Sequence, residues 1–276
     1  MDRNMFDPGR YLHRVKYSGS VKSNYDGLEL LHRAQVGTIP FENFDIILGR
    51  GISLEPGALF DKLVRRPRGG YCFELNGLFL MALGYFGFDA RPLLARVHQN
   101  GIPMGRGHQV SLVTIGKKSW LVDVGFGAPH LPAPVPLATG CSVTLDGQMF
   151  RLIDAEPFGI MLQTKKNDLW QDLYSLDLEL VWPKDIAYGN HYTSTHPDSF
   201  FTFTCVAALP SSDGRVSLCN RSLKIISGRK QQVCELGPGQ AYLDALKTYF
   251  GIDLDVSHDV LSGRCMQGQL EEDIAF

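Results

Sequence analysis

The run Arg68-Gly69-Gly70-Tyr71-Cys72-Phe73-Glu74-Leu75-Asn76, followed by Leu78, Phe79, Leu80, Met81 and Leu83, restricts the fold of this chain more than any other stretch. Two adjacent glycines permit a tight backbone turn. The apolar run behind them has the character of a buried helix, with Gly84 as its expected stop. Cys72 then falls at the helix N-terminus, where free N–H groups and the helix dipole favour a negative sulfur. Arg65, Arg66 and Arg68 lie just upstream and act in the same direction. A cysteine taken alone is more often a small buried hydrophobe, so the reactive reading depends on partners elsewhere.

Composition decides which partners are worth seeking. The chain has 276 residues, 44% hydrophobic and 20% charged, enough to build a large core. That length suggests about two domains. A net charge of −2 without a long basic run gives no reason to expect nucleic acid. No stretch approaches the ~18 consecutive apolar residues of a spanning helix, so no membrane partner is expected. Met1-Asp2-Arg3-Asn4 lacks the apolar core of a signal peptide, and a soluble cytoplasmic protein is expected. Cys72, Cys141, Cys205, Cys219, Cys234 and Cys265 are scattered without a C-x-x-C pair. Neither a metal site nor a dithiol motif follows, and all but Cys72 are read as packing or surface thiols.

Periodicity divides the chain into a helical N-terminal third, a β middle and a mixed C-terminal lobe. Asn24 and Asp26 precede a short helix through Leu28, Leu31 and Ala34, and Ser53 with Pro56 marks another helix start. Pro40 breaks the helical pattern across Thr38–Asp45. After Gly84 the period drops to about 2. Strands are expected at Ala90–Val97, Val110–Ile115 and Trp120–Val124, then at Ser142–Leu145, Gln148–Leu152, Gly159–Gln163 and Asp172–Ser175. Such a meander can close as a small barrel or curved sheet. Asp185–His196 reads as a loop or short helix. Further strands are expected at Phe200–Ala207 and Arg215–Cys219 around a Ser211-Ser212-Asp213-Gly214 turn, and a hairpin around Gly228. Gln240–Phe250 reads as an amphipathic helix stopped by Gly251.

A cysteine nucleophile needs a base within hydrogen-bond reach and a group to orient that base. His108 precedes the Val110–Ile115 strand, and Asp123 interrupts the next apolar strand. With Gly116-Lys117 as a two-residue turn, Val110 pairs with Asp123, and His108 is its diagonal neighbour on the same face at about 7–8 Å between Cα atoms. With Lys117-Lys118 as the turn, the two still share a face but lie four residues apart. Asp123-Val124-Gly125-Phe126-Gly127 closes the strand in a glycine-flanked turn whose N–H groups can approach a phosphate or carbonyl. Arg229 and Lys230 beside Gly228 read as a solvated pair.

Together, Arg68–Asn76, Ile-Pro-Phe-Glu-Asn at Ile39–Asn43 and Val-Asp-Val-Gly-Phe-Gly at Val122–Gly127 resemble the arylamine N-acetyltransferases. Tyr11-Leu12, Ser194-Thr195-His196-Pro197 and Asn220-Arg221 extend the resemblance over nearly the whole chain. It implies an α+β protein: a helical bundle over 1–86 carrying Cys72, a β-barrel over 87–198 carrying His108 and Asp123, and an α/β lid over 199–276. It further implies a Cys72-His108-Asp123 triad, acetyl-coenzyme A as co-substrate without a metal, and an arylamine or arylhydrazine acceptor. By motif position Phe126 and Gly127 line the acyl-donor cleft, and Phe41, Tyr71 and Phe201 the acceptor pocket. Gly107 departs from the Thr or Ser that commonly precedes the family's histidine. An amide synthase using a carrier-bound acyl chain, another Cys-His-Asp enzyme, or a binding module with a buried thiol are the rival expectations.

Overall fold

In the computed structural model, which describes residues 6–99, 101–211 and 213–265, the helices come first. The expectations for residues 1–4, for Ser212 and for 266–276 lie outside the described residues. Asp7 caps α1 (Pro8–Arg14), and Asn24 accepts the Gly27 N–H at 2.9 Å to cap α2 (Tyr25–Val36). A two-residue strand β1 (Phe41–Glu42) and the short helix α3 (Phe44–Ile47) occupy the region of the Pro40 break. Helix α4 (Pro56–Phe60) starts on Pro56 with Glu55, not Ser53, as its cap, and passes into a π turn at Asp61–Arg65.

Helix α5 (Cys72–Tyr85) begins on Cys72, as the glycine turn and apolar run predict. It passes through Gly84, and the left-handed backbone after it falls at Gly87, φ +80°. Phe73, Leu75, Leu78, Phe79 and Leu83 are buried in the largest apolar cluster. Each such side chain contributes about 1.5–3 kcal/mol by leaving water. The residue at the head of α5 is therefore fixed by a helix that cannot move without opening the core.

The strands β2 (Asp89–Gln99), β3 (Ile102–Pro103), β4 (His108–Ile115), β5 (Lys118–Val122), β6 (Val135–Pro136), β7 (Ser142–Leu145), β8 (Gln148–Asp154), β9 (Ile160–Lys166) and β10 (Leu169–Leu176) follow. They make a nine-stranded, nearly closed barrel sheet in the order β6-β5-β4-β2-β10-β9-β8-β7, with β3 paired to β2. Leu93, Val110, Leu121, Phe150 and Tyr174 fill its interior. Ile115 pairs with Lys118, so Gly116-Lys117 is the two-residue turn of the β4–β5 hairpin.

Helix α6 (Pro183–Thr195) is longer than the expected loop or short helix. Pro183 opens it, and the Trp182 N–H donates to the Asp185 carboxylate at 2.8 Å. The expected Phe200–Ala207 strand is instead a 3₁₀ turn at Phe200–Thr202, with β11 (Val206–Ser211) starting later. Asn43 accounts for this: its amide donates to the Phe201 and Thr204 carbonyls at 2.8 and 2.7 Å and accepts the Val206 N–H. Strands β12 (Gly214–Cys219), β13 (Ser222–Ser227) and β14 (Lys230–Glu235) precede α7 (Gln240–Phe250), stopped by left-handed Gly251, and α8 (His258–Cys265). The second sheet runs β1-β11-β12-β13-β14, so the Phe41–Glu42 strand of the N-terminal third joins the C-terminal sheet. Cys205 is disulfide-bonded, where a packing or surface thiol was expected.

Candidate functional site

The turn that delivers Cys72 is held from below by buried charge. A Cβ at Gly69 would lie 2.0 Å from the Pro40 carbonyl oxygen, and one at Gly70 2.8 Å from a Glu74 carboxylate oxygen. Only glycine admits that approach. Glu42 accepts from the Arg68 guanidinium, the Gly69 N–H and the Phe44 N–H at 2.9, 3.2 and 2.8 Å. Glu74 accepts the Tyr71 N–H and pairs with Lys62, which also reaches Asp45. Arg68 is bound by Glu42 and Asp45, while Arg65 and Arg66 pair with Asp61. Arg68 therefore organises the turn through Glu42, and the charges of all three arginines are matched by carboxylates instead of being aimed at the sulfur. Lys62→Met leaves Glu74 buried without its counter-charge, and an unfolding free energy lower by about 3–5 kcal/mol is expected in urea titration.

Cys72, His108 and Asp123 converge although they come from a helix start, a strand start and a strand end. All three are nearly inaccessible to solvent. The Asp123 Oδ2 lies 2.7 Å from His108 Nε2, leaving Nδ1 of the imidazole for the sulfur. The Cys72 Sγ points at the Gly107 carbonyl, 3.7 Å away. Burial opposes a charged His108, but the Asp123 carboxylate, its hydrogen bond and the adjacent Cys72 outweigh it and lift the imidazole pKa to about 10. Burial likewise opposes a charged Asp123; His108, Asn76 and the Gly125 N–H hold it below its usual range.

Several residues that sequence reasoning did not select complete this arrangement. Asn76 donates to Asp123 Oδ1 at 3.0 Å and accepts the Val124 N–H at 3.1 Å. Its signal was available: it is the polar residue one turn after Cys72 on the same face of an apolar helix. The Gly125 N–H adds a 2.9 Å bond to Oδ1, and a Cβ there would lie 2.8 Å from the Asn76 amide. His32, kept neutral chiefly by burial with a pKa near 4, donates Nε2–H to the Asp123 carbonyl at 3.1 Å. The Tyr174 ring lies 5.2 Å from those of His108 and Phe126, and burial, then the Asp123 charge, holds its hydroxyl protonated.

Phe126, also 5.2 Å from the imidazole, and left-handed Gly127 bound one side of the site. Phe41, Tyr71 and Phe201 meet in an aromatic cluster next to Cys72 in sequence through Tyr71, with the Phe201 ring 6.0 Å from that of Phe41 and 5.9 Å from that of Tyr71. Tyr71 also hydrogen-bonds Asn190 of α6. Gly107 has a local reason: a Cβ there would lie 3.0 Å from the Thr193 hydroxyl, so α6 fills the space of a side chain.

A thiol, an imidazole and a carboxylate in this arrangement are chemically able to pass an acyl group through sulfur. A family model described as N-acetyltransferase matches residues 24–260. The arylamine N-acetyltransferase of Mycobacterium tuberculosis is 36% identical over 251 residues, covering 88% of each chain. The solved arylamine N-acetyltransferase of Mycobacterium marinum in complex with CoA superposes with a TM-score of 0.88 at 35% identity, over 94% of this chain and 98% of that one. A Bacillus cereus arylamine N-acetyltransferase, described as having a Cys-His-Glu catalytic triad, gives 0.83 at 25% identity, over 91% and 100%.

Proposed function

The chain belongs to the arylamine N-acetyltransferase family, an acyltransferase family, and from that premise we propose that it carries acetyl from acetyl-CoA to an arylamine or arylhydrazine through acetylated Cys72. The observation that carries this reading is the 2.7 Å His108–Asp123 contact beside a cysteine at a helix N-terminus. In this site the acid is Asp123, held by His108, Asn76 and Gly125, where the Bacillus relative is described as using glutamate.

A His108 that keeps its proton through neutral pH supports a resting thiolate–imidazolium pair. The Cys72 sulfur attacks the thioester carbonyl carbon, with backbone N–H groups at the head of α5 facing the developing oxyanion. The bond to the coenzyme sulfur breaks, and the imidazolium gives its proton to that departing thiolate. Neutral His108 then takes a proton from the incoming amine as its nitrogen attacks the acetyl carbon. Loss of the Cys72 thiolate restores the starting ion pair and releases the amide. Phe126 and Gly127 face the donor in this reading, Phe41, Tyr71 and Phe201 the acceptor ring, and the C-terminal sheet closes the site as a lid.

Because coenzyme A leaves before the amine reacts, double-reciprocal rate plots at several amine concentrations are expected to be parallel. Intact mass and peptide mapping after incubation with acetyl-CoA alone are expected to place one acetyl group on Cys72. Intersecting plots with an unmodified Cys72 would replace this reading with direct transfer.

A further inference from the structure

Among the described residues, Arg215 on β12 and Lys224 on β13 stand out as cations without a carboxylate partner. Register pairs Arg215 with Ile226 and Ser217 with Lys224, which makes the two cations diagonal neighbours on one face. The alternate residues Val216, Leu218, Leu223 and Ile225 pack in the cluster that includes Tyr242 and Leu246 of α7, so the cationic face looks away from that helix. The Arg215 Nε is buried without a hydrogen-bond partner. Burial alone lowers the Arg215 pKa, and no carboxylate among the described residues offsets it. Lys224 is lowered by burial and then by repulsion from Arg215 and from Lys166, the last residue of β9 in the barrel sheet. Like charges from both sheets thus crowd one place at a cost to the fold.

The cluster also connects to the reacting sulfur. His130 feels Arg215, which after burial is the leading cause of a pKa pushed down to about 4. Asp146, the carboxylate that acts on His130, is held by Arg33 at 2.8 and 3.0 Å. His130 lies four residues beyond Phe126, which touches His108. A chain segment spans at most about 3.3–3.6 Å per residue, so the Cα atoms of Phe126 and His130 are within about 14 Å. A thioester seated at Cys72 can therefore trail a long arm along this loop toward the cations.

We propose that Arg215 and Lys224, with Lys166 at the rim, form the seat for the phosphate groups of the acyl donor. The inference rests on the acetyl-CoA reading above and assigns the anionic end of that donor. The guanidinium offers paired N–H donors to a phosphate, and the two ammonium groups add point charges.

The test compares coenzyme A with pantetheine, which shares the thiol arm and lacks every phosphate. Calorimetric Kd values are measured for the parent, Arg215→Gln, Lys224→Gln and Lys165→Gln, each checked for cooperative unfolding. Lys165 carries the same charge but is paired with Asp168, so its substitution controls for net charge. The preference for coenzyme A over pantetheine is expected to fall about tenfold in each of the first two variants and to persist in the control. Inorganic phosphate is expected to compete with coenzyme A and not with pantetheine. An unchanged preference in both Arg215→Gln and Lys224→Gln, or an equal fall in Lys165→Gln, overturns the assignment. Failure of the acetyl-transfer reading has a different signature: Cys72 stays unmodified by both acetyl-CoA and acetyl-pantetheine, whatever the binding data show.

Discussion

Asp123→Asn is expected to slow acetylation of Cys72 by about 10⁴-fold, the scale on which a nucleophile–histidine site suffers when its histidine is held in the wrong tautomer. The two oxygens of Asp123 accept from opposite directions: Oδ2 from His108, Oδ1 from the Asn76 amide and the Gly125 N–H. An asparagine has one oxygen to give. Turned toward His108, it confronts the two Oδ1 donors with an NH₂ group. Turned toward those donors, it presents NH₂ to Nε2 and forces that nitrogen to accept, which moves the proton to Nδ1 on the sulfur side. Either way the negative charge that raises the His108 pKa is gone. The readout is single-turnover acetylation followed by intact mass on protein shown to be folded by near-UV circular dichroism. A folded variant acetylated at a rate near the parent's would remove Asp123 from the mechanism.

The His108–Asp123 meeting shows how far period-2 reasoning carries. Strand parity places both residues on one face whichever turn is used, and the observed Gly116-Lys117 turn selects the nearer of the two registers. The head of α5 was legible for a similar reason: Gly69 and Gly70 are required by the approach of Pro40 and Glu74, and such an approach leaves glycines in the sequence. What was not legible is long-range. Phe201 to Thr204 alternates aromatic and β-branched residues like a strand, yet Asn43, more than 150 residues earlier, clamps its carbonyls into a turn. The arginines before Cys72 looked like activators because their partners, Glu42, Asp45 and Asp61, cannot be assigned from charge order alone. Helix α6 was hidden by its polarity; Gly189 inside it answers the Arg106 carbonyl, 2.9 Å from where a Cβ would stand.

Selective alkylation at low pH tests the charge state proposed for the resting site. Among the free thiols, Cys141 is exposed, Cys219 and Cys234 are partly buried, and Cys72 is buried. Burial also raises the Cys219 pKa. Accessibility by itself therefore directs limiting iodoacetamide to Cys141. The proposed ion pair gives the opposite order at pH 6, where ordinary thiols are well under about 1% ionised and a thiolate opposite His108 would react at once. The sign follows from the direction of the His108 shift. A pKa raised to about 10 means the imidazolium is fully present at pH 6 and through neutrality, and is lost only as pH climbs through that value. The rate at Cys72 is accordingly expected to stay nearly flat from pH 6 to 8, whereas alkylation of an ordinary thiol climbs with pH over that range. His108→Gln removes the counter-charge, and labelling of Cys72 is expected to fall about 100-fold at pH 6 but only a few-fold at pH 9, where a thiol ionises unaided. Brief exposure to acetyl-CoA is expected to protect Cys72 alone, because the thioester occupies its sulfur. The measurement is time-resolved peptide mapping of the folded protein. Labelling that begins at Cys141, or a Cys72 rate that rises with pH as steeply as that of Cys141, would show that the sulfur rests as a neutral thiol, leaving His108 to act as a base that must first remove its proton.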